Sequence, residues 1–230
     1  MKSVGILGGL GPETTAEFYL DVVFSCHKKD KTVRPLIVIA SVPLPYRIEE
    51  DIIMRSEGAE RYIPFLINEA RRLEKSGVDF IVMPCNSLHV FIEQIRDSVQ
   101  VPVLSIVEET VALLKKNKFK KVGIVSTSAT IKNKLYETAF EKSGILFEAP
   151  NDLQQEKMGK FIHNLVMGQQ NNKDREELIE IVNDFESKQV DCVALACTDL
   201  QLLIPKHPTL KIFDTMKIFA DSTVNHILDK

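Results

Sequence analysis

The chain repeats one segment near its two ends. Residues 78–88 and 190–200 align without a gap, and each is a short apolar stretch that stops at a cysteine, Cys85 or Cys197. Small hydroxyl or amide residues follow each cysteine. A second match pairs residues 2–9 with residues 121–127, which share a Val-Gly-Ile core. Two copies of the same pattern in one chain predict two copies of the same structural unit.

The pattern within each copy is that of alternating strands and helices. Continuous β-branched runs predict strands at 4–7, 36–40, 78–83, 102–106, 121–127, 145–148, 190–196 and 210–213. Helices are expected at 13–28, 57–76, 87–98, 108–116, 131–143, 154–167, 174–188 and 216–228. Such alternation is typical of parallel sheets with crossover helices. The predicted fold is α/β, with two pseudo-two-fold-related domains, each a parallel sheet flanked by helices.

Ligands bind at the carboxyl ends of the strands in parallel sheets. Both cysteine loops fall at such ends, as do the glycine loop at 8–11, Arg47 and the segment 126–130. We therefore expect a site in the cleft between the two predicted domains, with one cysteine on each side.

Length and composition narrow the classes of function. The 230 residues allow one large or two small domains. The net charge of −3 gives no sign of a basic footprint, which argues against nucleic acid and anionic membranes as partners. No apolar run approaches the about 20 residues that span a bilayer. The glycine-rich start does not resemble a signal peptide, so we expect a cytoplasmic location.

The four cysteines are expected to be reduced thiols in such a protein. Their spacing matches no zinc motif, so no metal is predicted. Cys26 lies in a predicted helix and Cys192 inside a predicted strand, where each is expected to be a small buried side chain. Cys85 and Cys197 instead stand at strand ends, each close to the start of a following helix. The dipole of a helix N-terminus favours the thiolate.

Two activated thiols fit racemisation better than other reactions. Racemisation removes a proton from one face of Cα and returns a proton to the other face, so it needs one base and one acid on opposite sides. Hydrogen-bond donors must stabilise the carbanion that forms between these steps. The loops around the two cysteines supply such donors on Asn86, Ser87, Thr127, Thr130 and Thr198.

The glycine loop, Gly8-Gly9-Leu10-Gly11-Pro12, does not fit a dinucleotide fingerprint. The last glycine of that motif would fall at Thr14, and the chain has no Walker lysine. A tight turn that opens a helix leaves backbone amides free, which suits a carboxylate equally well. Gly9 and Leu10 are therefore candidate substrate contacts.

Three of these segments resemble signatures of the aspartate/glutamate racemase family, and the resemblance covers the whole chain. They are the glycine loop, Met83-Pro84-Cys85-Asn86-Ser87-Leu88-His89 and Ala196-Cys197-Thr198-Asp199. The resemblance implies a cofactor-independent, homodimeric enzyme in which Cys85 and Cys197 are the acid/base pair. It also implies that the substrate carboxylate is held by Asn86, Ser87, Thr127 and Thr198. Arg47 would pair with the side-chain carboxylate of the substrate, a task that suits a guanidinium fork.

The chain departs from the family pattern at several positions. The first motif has Ser-Leu where the family more often has Thr-Ala, and the second begins with Ala and ends with Asp where Gly and Glu are commoner. Val166 stands where some aspartate racemases have a lysine that contacts the substrate, and His163 is one turn earlier. The expected substrate is an acidic amino acid, aspartate before glutamate. The expected domains are 1–103 with 210–230, including the last strand and helix, and 104–209.

Other functions remain open on the same residues. The wider superfamily includes hydantoin racemases, maleate cis–trans isomerases, which use a cysteine as nucleophile, and arylmalonate decarboxylases. Two cysteines argue against decarboxylation, and Arg47 argues for a dicarboxylic amino acid over a hydantoin. A protein that binds acidic amino acids without catalysis, or a redox-sensing thiol pair, is the alternative from another class. Tight binding of aspartate without exchange of its Cα proton would distinguish that alternative.

Overall fold

Each half of the chain forms its own four-stranded parallel sheet in a computed structural model. The structure describes residues 1–32, 34–45, 48, 58–166, 169, 171–197, 200 and 207–228. The chain divides into two units, Met1–Glu109 with Met216–Lys230, and Thr110–Thr215. The domain boundaries expected from the sequence lie earlier, at 103/104 and 209/210.

The first unit contains a sheet in the order β2-β1-β3-β4, with all neighbouring strands parallel. Short 3-10 segments at Ala59–Tyr62 and Ser87–Phe91 precede two of its helices. The elements in chain order are β1 (Val4–Gly8), α1 (Pro12–Lys29), β2 (Ile37–Ser41), α2 (Ile63–Lys75), β3 (Phe80–Val82), α3 (Ile92–Arg96) and β4 (Val103–Leu104).

The second unit repeats this arrangement in the order β6-β5-β7-β8, again parallel throughout. Its elements are β5 (Lys121–Ser126), α5 (Ser128–Lys132), α6 (Leu135–Ser143), β6 (Leu146–Glu148), α7 (Asp152–Val166), α8 (Asn172–Ser187), β7 (Cys192–Ala196) and β8 (Lys211–Asp214). Helix α4 (Ile106–Lys116) begins in the first unit and continues into the second. Helix α9 (Thr215–Ile227) returns the chain to the first unit. The predicted α/β class and the duplication are confirmed.

The shared Val-Gly-Ile core has the same structural role in both sheets. A Cβ added at Gly5 in β1 would lie 3.2 Å from Leu73 of α2, and one added at Gly123 in β5 would lie 2.6 Å from the Phe185 ring of α8. Both glycines therefore let a helix approach the middle of the sheet closely. Buried apolar side chains fill the space between sheet and helices in each unit. They include Leu7, Leu66, Ile81 and Ile95 in the first unit and Val125, Phe161, Leu178 and Phe185 in the second.

The last strand differs from the expectation. Residues 210–213 were expected to join the first domain, but β8 pairs in parallel with β7, with Ala194 opposite Phe213. The repeat explains this placement, because β8 has the same position beside β7 that β4 has beside β3. Only the helix after β8 belongs to the first unit.

Three predicted helices are divided in the structure. In the described part of 57–76, the α-helix starts only at Ile63 and has Pro64 in its first turn, since proline does not fit a helix interior. The helix predicted at 131–143 starts earlier, at Ser128, and is interrupted at Lys134, whose φ of 50° is left-handed. The helix predicted at 87–98 begins as a 3-10 segment. None of the helices within the described residues has the length and apolar character to cross a membrane.

Candidate active site

The predicted site residues fall into two groups, one in each unit. In the first unit, Cys85 follows β3, and its N–H donates to the Met83 carbonyl at 2.8 Å. The thiol side chain is half-buried. Strand β3 pairs with β1, with Val82 opposite Ile6, so the loops after both strands lie at the same edge of the sheet. The glycine loop and the Cys85 loop are therefore neighbours.

The glycine loop is fixed by Thr15 of α1. The Gly9 N–H donates to Thr15 Oγ1 at 2.9 Å, and the same hydroxyl donates to the Gly11 carbonyl at 2.9 Å. A Cβ at Gly8 would lie 2.4 Å from Thr15 Cγ2, so the strand end and the helix touch. Gly9 has a φ of 80°, which favours glycine, and Leu10 packs half-buried against the core. Sequence reasoning missed Thr15, although a threonine four residues after Gly11 on the first helical turn could have indicated it.

The residues after Cys85 form a short turn in which one polar residue is buried and the next is half-buried. Asn86 is buried, and its carbonyl accepts the His89 N–H at 3.0 Å. Ser87 begins the 3-10 segment and is half-buried. These two predicted contacts thus lie directly beside Cys85 in the chain and on the same turn.

His89 is 2 % exposed and links this turn to α4. Its Nδ1 lies 2.6 Å from the Cys85 carbonyl oxygen, and its Nε2 accepts the Ile106 N–H at 3.1 Å. Since Nε2 accepts a hydrogen bond, Nδ1 carries the proton of the neutral ring. Burial is the main cause that lowers the His89 pKa to about 4, so the imidazole is neutral near pH 7. Sequence reasoning missed this role as well.

In the second unit, Cys197 follows β7 and is 5 % exposed, packed in the apolar cluster that contains Phe161 and Leu200. Ala196 lies opposite Ser126 in the β5–β7 pairing, so the loop after β5 is at the same edge as Cys197. Each cysteine therefore follows an interior strand of its own sheet and lies beside the loop that follows the central strand β1 or β5.

Thr127 caps α5 in that second loop. Its Oγ1 accepts the Thr130 N–H at 3.2 Å and lies 3.0 Å from Thr130 Oγ1. Thr130 is fully buried, and the contact between the two hydroxyls ties Thr127 to it. The side-chain amide of Gln155 on α7 also binds this loop. Its Nε2 donates to the Ser126 carbonyl at 3.0 Å and to Ser128 Oγ at 3.3 Å, a contact that sequence reasoning missed.

The other two cysteines are buried, as predicted. Cys26 on α1 and Cys192 in β7 are both 0 % exposed. Burial raises the pKa of both thiols, and with the nearby Asp191 charge it raises that of Cys192 to about 12. Neither is a candidate for proton transfer at neutral pH.

Some expectations concern positions outside the described residues. These positions are Arg47, Thr198 and Asp199. Among the residues that the structure describes, no cluster of three His, Cys, Asp or Glu side chains could hold a metal ion.

Comparison with known proteins identifies relatives over nearly the whole chain. The family model described as Asp/Glu/hydantoin racemase matches residues 7–223. The broad specificity amino-acid racemase RacX of Bacillus subtilis (strain 168) is 28 % identical over 233 residues, 98 % of each chain. An aspartate racemase homologue from Pyrococcus horikoshii OT3 has a similar structure, with a TM-score of 0.81, 26 % identity, and coverage of 99 % of this chain and 100 % of that one. The aspartate racemase of Picrophilus torridus gives a TM-score of 0.78 at 25 % identity, covering 99 % and 94 %. The chain therefore belongs to the Asp/Glu/hydantoin racemase family.

Proposed function

We propose that this protein is a cofactor-independent racemase of an acidic amino acid, aspartate first and glutamate second, with Cys85 and Cys197 as its acid/base pair. The observation that carries this proposal is the equivalent position of the two thiols. Each follows an interior strand of its own parallel sheet, next to a loop that a helix side chain holds in place. Membership of the racemase family supports the reaction class.

In this mechanism the two thiols act on opposite faces of Cα. One cysteine, as thiolate, removes the Cα proton and becomes a thiol. The other, as thiol, delivers its proton to the opposite face and becomes a thiolate. The reverse reaction exchanges the two roles, so both directions use the same groups.

The carbanion formed between these steps needs donors around the substrate carboxylate. We assign this task to Asn86, Ser87, Thr127 and Thr198, with the backbone around Gly9 and Leu10 completing the pocket. Thr127 Oγ1 already accepts the Thr130 N–H. When the Thr130 hydroxyl also donates to Thr127, the Thr127 proton is left to point at the carboxylate.

The substrate assignment rests on Arg47 as the partner of a side-chain carboxylate. Val166 stands where some aspartate racemases have a lysine that contacts the substrate. We therefore expect a less strict specificity for aspartate. The name of the Bacillus subtilis relative, a broad specificity racemase, points in the same direction. We also propose a homodimer, which light scattering of the purified protein tests.

The test is racemisation of a substrate panel by the wild-type protein without added cofactor. Chiral chromatography would follow both enantiomers of aspartate, glutamate, alanine and leucine. Turnover of aspartate or glutamate with the highest kcat/KM is the expected result. Faster turnover of alanine or leucine would contradict the preference for acidic substrates and would indicate a broad substrate specificity. Binding of aspartate in a calorimeter without racemisation of any amino acid would contradict the enzyme assignment.

A further inference from the structure

We infer that His89 is a positioning residue that holds the main chain of Cys85 in the orientation needed for proton transfer and fastens it to the start of α4. The inference rests on the proposed function, since it concerns the thiol to which that function assigns the chemistry. His89 itself touches no reacting atom and acts through Cys85.

The first part of the argument is the use of both ring nitrogens. Nδ1–H donates to the Cys85 carbonyl at 2.6 Å, and Nε2 accepts the Ile106 N–H at 3.1 Å. The ring also has edge contact with Phe219 of α9, at 6.3 Å between centroids. Since both nitrogens are occupied and the ring is buried, the imidazole has no proton or lone pair left for a substrate.

The second part is the anchor at the other end of the ring. Ile106 is the first residue of α4, and its N–H is one of the amides that a helix leaves without an internal partner. Ser105 Oγ serves a second one, accepting the Glu108 N–H at 3.4 Å. His89 therefore caps α4 from the side while it holds Cys85. The positive end of the helix also favours the neutral ring that this cap requires.

A second connection reaches α4 at the surface, from the helix α3 that follows the Cys85 turn. Arg96 of α3 donates to both carboxylate oxygens of Glu108 at 2.9 and 2.8 Å. It also donates to the Val103 carbonyl at 3.1 Å. This connection does not involve the Cys85 main chain. A substitution at Arg96 can therefore change the stability of this region without changing the hydrogen bond to Cys85.

Two substitutions at His89 each keep one of its two hydrogen bonds and remove the other. Asparagine places an amide N–H near the position of Nδ1, which keeps the bond to Cys85 and loses the cap on Ile106. Glutamine places an oxygen near Nε2, which keeps the cap and loses the bond to Cys85. Since a displacement of about 1 Å in a reacting group costs about 10²-fold, His89→Gln should lower kcat/KM by about ten- to a hundredfold. His89→Asn should recover most of that loss.

Arg96→Met is the matched control, because it weakens the same junction without touching Cys85. It should lower the Tm and keep kcat/KM within about twofold of the wild-type value. Losses of kcat/KM that follow the Tm equally in all three variants would overturn the inference. So would wild-type kcat/KM in His89→Gln.

Two readouts do not depend on racemase activity. The alkylation rate of Cys85 in the folded protein, followed by mass spectrometry, should fall or rise at least threefold in His89→Gln and less in Arg96→Met; equal rates overturn the inference. In wild-type protein, ¹⁵N NMR of the imidazole should show a proton on Nδ1 at pH 7, and a proton on Nε2 would overturn it. If the wild-type protein racemises nothing, the proposed function fails, while these two measurements still decide on His89.

Discussion

Asp79 and Asp191 make the same connection in the two halves of the chain. Asp79 Oδ2 accepts the Ser3 N–H at 2.6 Å and the Ser3 hydroxyl at 2.7 Å, just before β3 begins. Asp191 Oδ2 accepts the N–H groups of Lys120 and Lys121 at 2.6 and 2.9 Å, just before β7 begins. Each carboxylate thus fastens the strand that precedes Cys85 or Cys197 to the start of the neighbouring central strand. The duplication is preserved in these bonds as well as in the strand order.

The Asp79 connection predicts a pH-dependent contribution to stability. The bonds from Ser3 lower the pKa of this carboxyl below 3.8. A carboxyl with a lowered folded-state pKa contributes stability above its unfolded pKa, and this contribution is lost as the pH falls through the folded value. Asp79→Asn should therefore lower the Tm at pH 7, with the difference from wild type shrinking near pH 2. Thermal denaturation at both pH values measures it; the same difference at both would contradict the prediction.

Gly123 predicts a clash with α8. An alanine there would place its Cβ 2.6 Å from the Phe185 ring, so Gly123→Ala should cost about 1–3 kcal/mol of unfolding free energy. Gly159 of α7 has no atom within 4 Å of an added Cβ. Gly159→Ala should instead stabilise the protein by roughly 1 kcal/mol, because alanine is the better helix former. Denaturant titration measures both, and equal effects of one sign would show that close helix contact does not explain Gly123.

The buried His89 predicts acid sensitivity of the fold. Its pKa falls from 6.5 to about 4 on folding, mainly through burial. Between these values the unfolded chain binds the proton and the folded chain does not, so stability decreases as the pH falls. The full difference is worth roughly 3 kcal/mol. The charges that face the ring, Arg96 and Glu108, act in opposite directions on its pKa and are minor causes.

The measurement is the unfolding free energy of wild type and His89→Gln from pH 7 to pH 4. Wild type should lose more stability over this interval than the variant, which has no group to titrate at that position. Parallel curves for the two proteins would show that His89 is charged or exposed in the folded state.

The cysteines should differ in their reaction with an alkylating agent. Cys85 is half-buried, whereas Cys26 and Cys192 are buried and have raised pKa values. Since the thiolate is the nucleophile, Cys85 should be modified in the native protein at pH 7.5, and the other two only after unfolding. Peptide mapping by mass spectrometry identifies the modified positions. Native modification of Cys192 would contradict the burial of β7.

The positions of the strands could be predicted because most of them are apolar runs that recur at the same place in the repeat. The resemblance placed residues 210–213 with the first domain, although the repeat itself pairs β8 with β7. The helix breaks at Lys134, which has a positive φ. A glycine at that position would have predicted the break, but a lysine does not. Helix propensity alone therefore predicted one continuous helix over 131–143, across this break.

The candidate site was partly visible from the sequence for a similar reason. Cysteines at strand ends can be read from local patterns, because the strand end fixes their position. His89 and Gln155 could not be assigned, since each acts through a hydrogen bond to a main chain in another element. Thr15 also acts on a main chain, and its place four residues after Gly11 was the one signal for it. Such contacts depend on how helices pack on the sheet, and residue type alone does not specify that packing.

The two-thiol mechanism is tested most directly by the fate of the Cα hydrogen in deuterated water. Wild-type protein should convert each enantiomer of aspartate into a product that carries one deuterium at Cα, while unreacted substrate stays unlabelled at low conversion. Cys85→Ala and Cys197→Ala should each lose this activity by at least about 10²–10⁴-fold, and Cys192→Ala should keep it. Racemisation near the wild-type rate by Cys85→Ala or by Cys197→Ala would contradict the account.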